Sequence, residues 1–416
     1  MSIQSVESRC IYCSSLGPFS DEHMIPAGLG ADDNRYLLRD MVCETCNTTV
    51  FSPLELEWLR NSPTAIGRIF MQAKGRKRGN KKNPPKLGAA TQILVTPEGY
   101  TAEAEIGYQG KATILPQMIL VDEHQCSVTG SNKEEFDRFI SQVQEGFGSS
   151  ITCAPKLDET ATHKFQIATF VWEDGRYIEH HQVDADKLPA SCLLYLPIAP
   201  NEHGKFTSNS RLFRRPNGQI VLRLRRDLQL GSALAAFRKV GESLDLSTLV
   251  EGELKNPLVN IGFSFQPEVT GRVLAKTGLN ILGHLLGVNY VGHPAFQSIK
   301  ESITTGRPSI PPYTDEAKAP FRMLFSGLPD THHGFMLSAH PWHEQTCGIG
   351  LATRLYGSQV GVVPLAHGLP HPPIDLPVIF TVDYGAHLIE QYSLTEYMRK
   401  YPITPSSLGG NHVLSG

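Results

Sequence analysis

Two cysteine pairs, Cys10-Ile-Tyr-Cys13 and Cys43-Glu-Thr-Cys46, stand 29 residues apart near the start of this 416-residue chain. No other feature restricts the fold so strongly. Each pair sets two thiols on one tight turn, and two such turns close a tetrahedral site of four sulfurs, the ligand set and geometry that zinc favours. A four-cysteine site keeps no open position, so the expected metal staples the fold and does no chemistry. The other four cysteines, Cys126, Cys153, Cys192 and Cys347, are scattered. They read as small buried hydrophobes, not as a disulfide scaffold.

Hydrophobic residues make up 40% of the chain and charged ones 19%, a globular composition, and the length asks for two or three domains. The net charge of −3 singles out no partner, but residues 1–90 hold 12 Lys/Arg against 9 Asp/Glu. No run reaches the roughly 18 apolar residues of a membrane helix. The first ten residues lack the basic-then-apolar order of a signal peptide. A soluble, cytoplasmic protein without a membrane partner is expected. Phosphate-binding glycine loops, nucleophile elbows, and kinase or dinucleotide fingerprints are absent from the sequence.

The hydrophobic pattern predicts an α+β chain: a small N-terminal module followed by a larger mixed region. Ser52-Pro53-Leu54-Glu55 and Ser62-Pro63 signal two short helices, over 53–61 and 63–73. Seven basic residues between Lys74 and Lys86, set among Gly, Asn and Pro without one acid, read as a loop or linker over 74–90. Strands are expected near 91–95, 112–115, 165–172, 191–196 and 219–224. A helix over about 132–147 carries a Ser131–Glu134 capping box. A longer helix follows Pro267 and stops at Gly287, and a shorter one runs from Pro294 to Gly306. Strands return at 359–363 and 378–382. The resulting division is 1–73, 74–90, 91–260 and 261–416, with a soft boundary near 255–265.

Beside the cysteine pairs sit polar groups that a structural zinc ribbon does not need. Glu22-His23-Met-Ile-Pro26 joins a carboxylate to an imidazole, and Asn47 directly follows the second pair. A hairpin over 22–26 facing Asn47 would bring the three together. Glu22 and Asn47 offer hard oxygens suited to magnesium or manganese, and a histidine with a near-neutral pKa suits a general base.

Taken together, Cys10-x2-Cys13, Glu22-His23-x-Ile-Pro26, Leu29-Gly30 and Cys43-x2-Cys46-Asn47 resemble the HNH endonuclease family. They are most similar to its zinc-knuckle, ββα-metal members, which include phage junction-resolving endonucleases. The resemblance covers about residues 8–60. It implies hydrolysis of DNA phosphodiester bonds, with His23 deprotonating water and Glu22 and Asn47 holding one catalytic magnesium or manganese ion. Products would carry 5′-phosphate and 3′-hydroxyl ends. RNA stays open beside DNA, because the chemistry is shared until a 2′-hydroxyl is recognised. A homodimer would pair two nicking sites, and family analogy places such layouts in restriction or anti-phage defence.

The family usually has Asp where Glu22 stands, and its middle asparagine has only Asn34 or Asp40 as candidates here. A non-catalytic zinc-dependent nucleic-acid binder is therefore the alternative, as is an effector gated by a ligand of the C-terminal region.

Lys74, Arg76, Lys77, Arg78, Lys81 and Lys82 would contact the nucleic-acid backbone through salt-dependent, sequence-independent ion pairs. A second basic group, Arg211, Arg214, Arg215, Arg223, Arg225 and Arg226, brackets an expected hairpin and faces either phosphates or neighbouring acids. His340-Pro-Trp-His343-Glu344 lacks a diagnostic ligand spacing, and its proline argues for a loop.

Overall fold

The first cysteine pair turns tightly, with the Ser14 N–H donating to the Cys10 carbonyl and the Cys10 N–H to the Ser15 carbonyl. Phe19 then bridges to Cys43, and β1 (Glu22–His23) pairs antiparallel with β2 (Leu37–Leu38). Between them Gly30 adopts φ +82°, and a Cβ there would lie 2.5 Å from the Cβ of Tyr384. Only glycine fits, both for the left-handed backbone and for the close approach. The computed structural model describes residues 8–73, 75, 77–78, 81–82, 85, 87, 91–121, 125–155, 157, 163–189, 191–250, 252, 254, 257–260, 266–310 and 314–404.

Helix entry differs from the expected serine cap. The second cysteine pair already leads into a wide π-helical turn, Cys46–Phe51, which runs directly into α1 (Ser52–Asn61). Ser52 is itself helical, at φ −58° and ψ −48°, and donates its N–H to the Asn47 carbonyl. The cysteine knuckle starts the helix, which leaves the Glu55 side chain for another partner. At α2 (Pro63–Met71) the expected cap is present, with the Ser62 hydroxyl accepting from the Thr64 N–H.

In the basic segment, β3 (Lys77–Arg78) and β4 (Lys81–Lys82) pair their backbones antiparallel, so part of the expected linker is a minimal hairpin. Lys74 and Arg76 lie outside the described residues.

Residues 90–106 and 112–262 form one unit. It holds two sheets. The smaller is β16-β5-β6-β7, from β5 (Gln92–Val95), β6 (Thr101–Ile106), β7 (Ala112–Ile114) and β16 (Leu258–Asn260). The larger is eight-stranded and ordered β12-β11-β10-β13-β15-β14-β8-β9. Its strands are β8 (Gln117–Leu120), β9 (Cys126–Thr129), β10 (Ser150–Pro155), β11 (Phe165–Glu173), β12 (Arg176–Ala185), β13 (Leu193–Ile198), β14 (Arg211–Arg214) and β15 (Ile220–Arg225).

Helices α3 (Lys133–Gly146) and α4 (Leu230–Ser243) lay Phe136, Phe139, Ile140, Val143, Leu234 and Phe237 in one core with Met118, Leu212 and Leu222. The α3 cap is one residue later than expected. Asn132 accepts from the Glu135 N–H, while Ser131 turns away to accept from the Ile114 N–H.

The other unit comprises Met1–Ala89, Gly107–Lys111 and Phe263–Gly416. Helix α5 (Pro267–Val291) breaks at Gly287, where φ is +75°. It is followed by α6 (Gln297–Thr305), ended by left-handed Gly306, and α7 (Asp315–Leu324). A five-stranded antiparallel sheet, ordered β19-β18-β17-β20-β21, completes the unit with α8 (Leu394–Lys400). Its strands are β17 (His332–His343), β18 (Thr346–Leu355), β19 (Gln359–Leu369), β20 (Val378–Asp383) and β21 (Leu388–Ser393). β17 runs on through Pro341, correcting the expected loop. The ladder shifts register between Pro341 and His343, where a proline without an N–H is tolerated.

The mixed α+β class is as expected, but the separation of 1–73 from 261–416 is not what the packing shows. Ile11, Tyr12, Ile25, Leu38, Phe51 and Trp58 share one buried cluster with Val273, Leu279, Ile281, Phe335 and Phe380. The N-terminal segment is too small to bury its own apolar side chains, and the C-terminal helix and sheet complete its core. Among the described residues no helix is long and apolar enough to cross a membrane.

Candidate functional site

The four sulfurs of Cys10, Cys13, Cys43 and Cys46 lie within 4.8 Å of one another. Backbone N–H groups already point at them: Cys43 donates to the Cys10 sulfur and Cys46 to the Cys43 sulfur, each at 3.4 Å. The Cys46 thiol beside Cys10, with the knuckle N–H groups, pulls Cys10 down to about 4 against the effect of burial, and Cys46 is pushed far up in turn. Four sulfurs converging on one point, two of them already met by turn amides, form the ligand set of a closed tetrahedral site, so the residues fit a structural zinc. Among the described residues this is the one group of three or more His, Cys, Asp or Glu side chains whose ligand atoms converge.

The staple positions the strand and the helix beside it. Asn47 donates from Nδ2 to the Ser20 hydroxyl at 3.0 Å and to the Asp21 carbonyl at 3.1 Å, tying the helical entry to the chain just before β1. His23, on β1, stands with Nε2 3.6 Å from Oδ1 of Asp32, both side chains 14% exposed. Asp32, which the sequence did not single out, is the acidic neighbour of the imidazole. The sequence offered one clue, an acidic Asp32-Asp33 step just past Gly30 in the β1–β2 connection.

Glu22 points the other way, as alternation along a strand dictates. Its Oε1 accepts from Nζ of Lys276, which is fully buried on α5, and from Nδ2 of Asn280 at 3.4 Å. The same Nζ donates to Glu55 of α1 and lies 5.1 Å from the Phe51 ring centroid. Asn280, one turn on, also donates to the His23 carbonyl at 3.1 Å and accepts from the Tyr12 hydroxyl at 2.6 Å. Burial alone would lower the Lys276 ammonium, but Glu22 and then Glu55 outweigh it and hold the amine charged. Burial raises the Glu22 carboxyl, with Lys276 opposing.

The expected oxygen pair of Glu22 and Asn47 does not fit a magnesium or manganese ion in this arrangement. Glu22 and Asn47 are engaged by different partners, and an ammonium already occupies the carboxylate. Lys276 and Asn280 escaped the sequence reading because they lie more than 250 residues from Glu22. Their only signal was polarity inside the apolar run Val273-Leu-Ala-Lys-Thr-Gly-Leu-Asn-Ile-Leu282.

Several of the second group of arginines meet acids within their own unit. Arg214 pairs with Glu135 at 2.6 Å, Arg223 with Glu103 at 2.7 Å and Arg225 with Asp227 at 2.7 Å. Arg211 is buried against the Thr101 hydroxyl and the Asn209 carbonyl. These partners favour internal neutralisation over a phosphate groove. At the β17–β18 end, His340 and His367 stand 5.6 Å apart and Trp342 stacks on His367 at 4.2 Å, an aromatic packing arrangement.

No protein-family model, curated protein or solved structure matches this chain.

Proposed function

We propose that about residues 8–60 form an HNH-type module that hydrolyses nucleic-acid phosphodiester bonds, with His23 as general base. What carries the proposal is one observation: a four-cysteine staple sets a two-stranded hairpin bearing His23 against a helical entry bearing Asn47, with Asp32 3.6 Å from the imidazole. A carboxylate beside a histidine orients the ring and favours its protonated form, which is what a base needs once it has taken a proton from water. DNA is the substrate class proposed first, with RNA tested in parallel. The products would be 5′-phosphate and 3′-hydroxyl ends.

The resemblance also brings a magnesium or manganese ion. Glu22 is held by Lys276, and cleavage in magnesium or manganese against EDTA reads the cation requirement. The basic segment around Lys77, Arg78, Lys81 and Lys82 extends the proposal as a backbone-contacting stretch. A homodimer pairing two such sites, and a role in anti-phage defence, belong to the same proposal.

A second reading, a zinc-dependent nucleic-acid binder without catalysis, is favoured by the Lys276–Glu22 ion pair. One experiment separates the two. Supercoiled plasmid and matched RNA are incubated with wild-type protein and with His23→Ala, in magnesium, manganese or EDTA, with zinc content measured in both preparations. The nuclease predicts metal-dependent nicking that disappears in the variant while zinc is retained. A wild-type chain that loads zinc and retards nucleic acid on a gel without cutting it is the binder.

A further inference from the structure

Lys276 is a cation at this site that the HNH resemblance does not supply. It is completely buried, and it sits on α5, more than 250 residues along the chain from Glu22. Two carboxylates from two different elements, Glu22 on β1 and Glu55 on α1, both place Oε1 within hydrogen-bond reach of its Nζ. Hard carboxylate oxygens converging on one point are a donor set for a divalent cation, and here a lysine ammonium fills that point. One helical turn later, Asn280 grips the His23 carbonyl and Glu22 Oε1 while accepting from Tyr12 of the first cysteine knuckle. A single face of α5 thus clasps the knuckle, the strand of His23 and the helix that follows Asn47.

We infer that Lys276 is the resident cation of Glu22: its ammonium takes the place of a divalent ion there, and through Glu22 it positions the strand that carries His23. Lys276 is a positioning residue, and Glu22 an anchor for α5. The inference rests on the nuclease proposal for the role of His23, but not for the identity of the cation at Glu22. Two consequences follow from charge alone. A dication does not bind through Glu22 while Lys276 is present. Removal of the ammonium leaves two facing carboxylates that attract one.

The test uses the full-length, zinc-loaded chain and manganese as the probe, with free Mn2+ followed by electron paramagnetic resonance. Wild type, Glu22→Gln, Lys276→Ala and the double variant are titrated, each checked for zinc content and circular dichroism. Glu22→Gln is expected to leave the manganese affinity of the wild type unchanged. Lys276→Ala is expected to gain a site about tenfold or more tighter than any in wild type, lost again in the double variant.

The inference is overturned if Glu22→Gln weakens wild-type manganese binding by about tenfold, since Glu22 would then ligate the ion beside Lys276. It is overturned equally if a folded, zinc-loaded Lys276→Ala gains nothing. Should Lys276→Ala fail to fold, the comparison of wild type with Glu22→Gln decides alone. Binding is read without turnover, so loss of the nuclease proposal in the cleavage assay and loss of this inference are separate results.

Discussion

Replacing Lys276 by methionine keeps most of the aliphatic stem but strands two carboxylates in a core. Removing one partner of a buried ion pair costs about 3–5 kcal/mol, because the remaining charge has lost both water and its counterion. The structure places this case near the lower end. The Glu22 side chain is only 8% exposed and has little access to solvent, whereas Glu55 at 20% recovers part of its hydration. A loss of about 3 kcal/mol is expected. For a unit of this size about 2–4 °C accompanies each kcal/mol, so its melting transition should fall by about 6–12 °C.

Differential scanning calorimetry of the zinc-loaded chain measures this directly. The triple variant Lys276→Met, Glu22→Gln, Glu55→Gln should recover most of the loss, since neutral amides tolerate the apolar surroundings better than unpaired carboxylates do. A single variant that melts within about 1 °C of wild type would refute the reasoning, as would a triple variant no better than the single.

Further outcomes are expected elsewhere in the same unit. Cys13→Ser should lower bound zinc well below one per chain and loosen the N-terminal segment, read by metal analysis and by faster proteolysis within residues 8–61; retained zinc would exclude the four-cysteine site. Gly30→Ala forces a left-handed alanine against Tyr384 and should cost about 2–4 kcal/mol in urea unfolding. His333 is fully buried, and burial, then Arg354 and His332, lower it to about 3. A histidine depressed in the folded state contributes stability that is present above its ordinary pKa near 6.5 and lost as pH falls toward 3. His333 alone should therefore remove about 2 kcal/mol between pH 8 and pH 5. His333→Gln should flatten that part of the stability profile, and an unchanged slope would contradict the assignment.

Much of the local structure was legible because its causes are local. Ser62-Pro63 starts α2 as a hydroxyl cap and a proline at the first helical position dictate, and Gly306 ends α6 in the left-handed region. Phe136, Phe139, Ile140 and Val143 lie on one buried face of α3, as their spacing requires. Where two local signals competed, context chose. Asn132 displaced Ser131 as the cap because the Ser131 hydroxyl was taken by the Ile114 N–H. Ser52 lost its capping role because the knuckle at Cys43–Cys46 had already begun the helix.

The four-cysteine cluster is written in local spacing, since each C-x2-C turn brings its two thiols together whatever surrounds it. Local spacing also sets His23 and Asn47 near that staple, because each is within a few residues of a stapled or paired position. What faces them is a matter of long-range packing. Glu22 is turned inward by strand alternation, and what stands inside is set by a helix more than 250 residues away, whose lysine and asparagine are polar exceptions in an apolar run. Asp32 reaches His23 through the turn that Gly30 permits against Tyr384. Long-range partners of this kind carry no local pattern. They are selected by whichever buried charge must be balanced when two distant segments close one core, and that balance exists only in the folded chain.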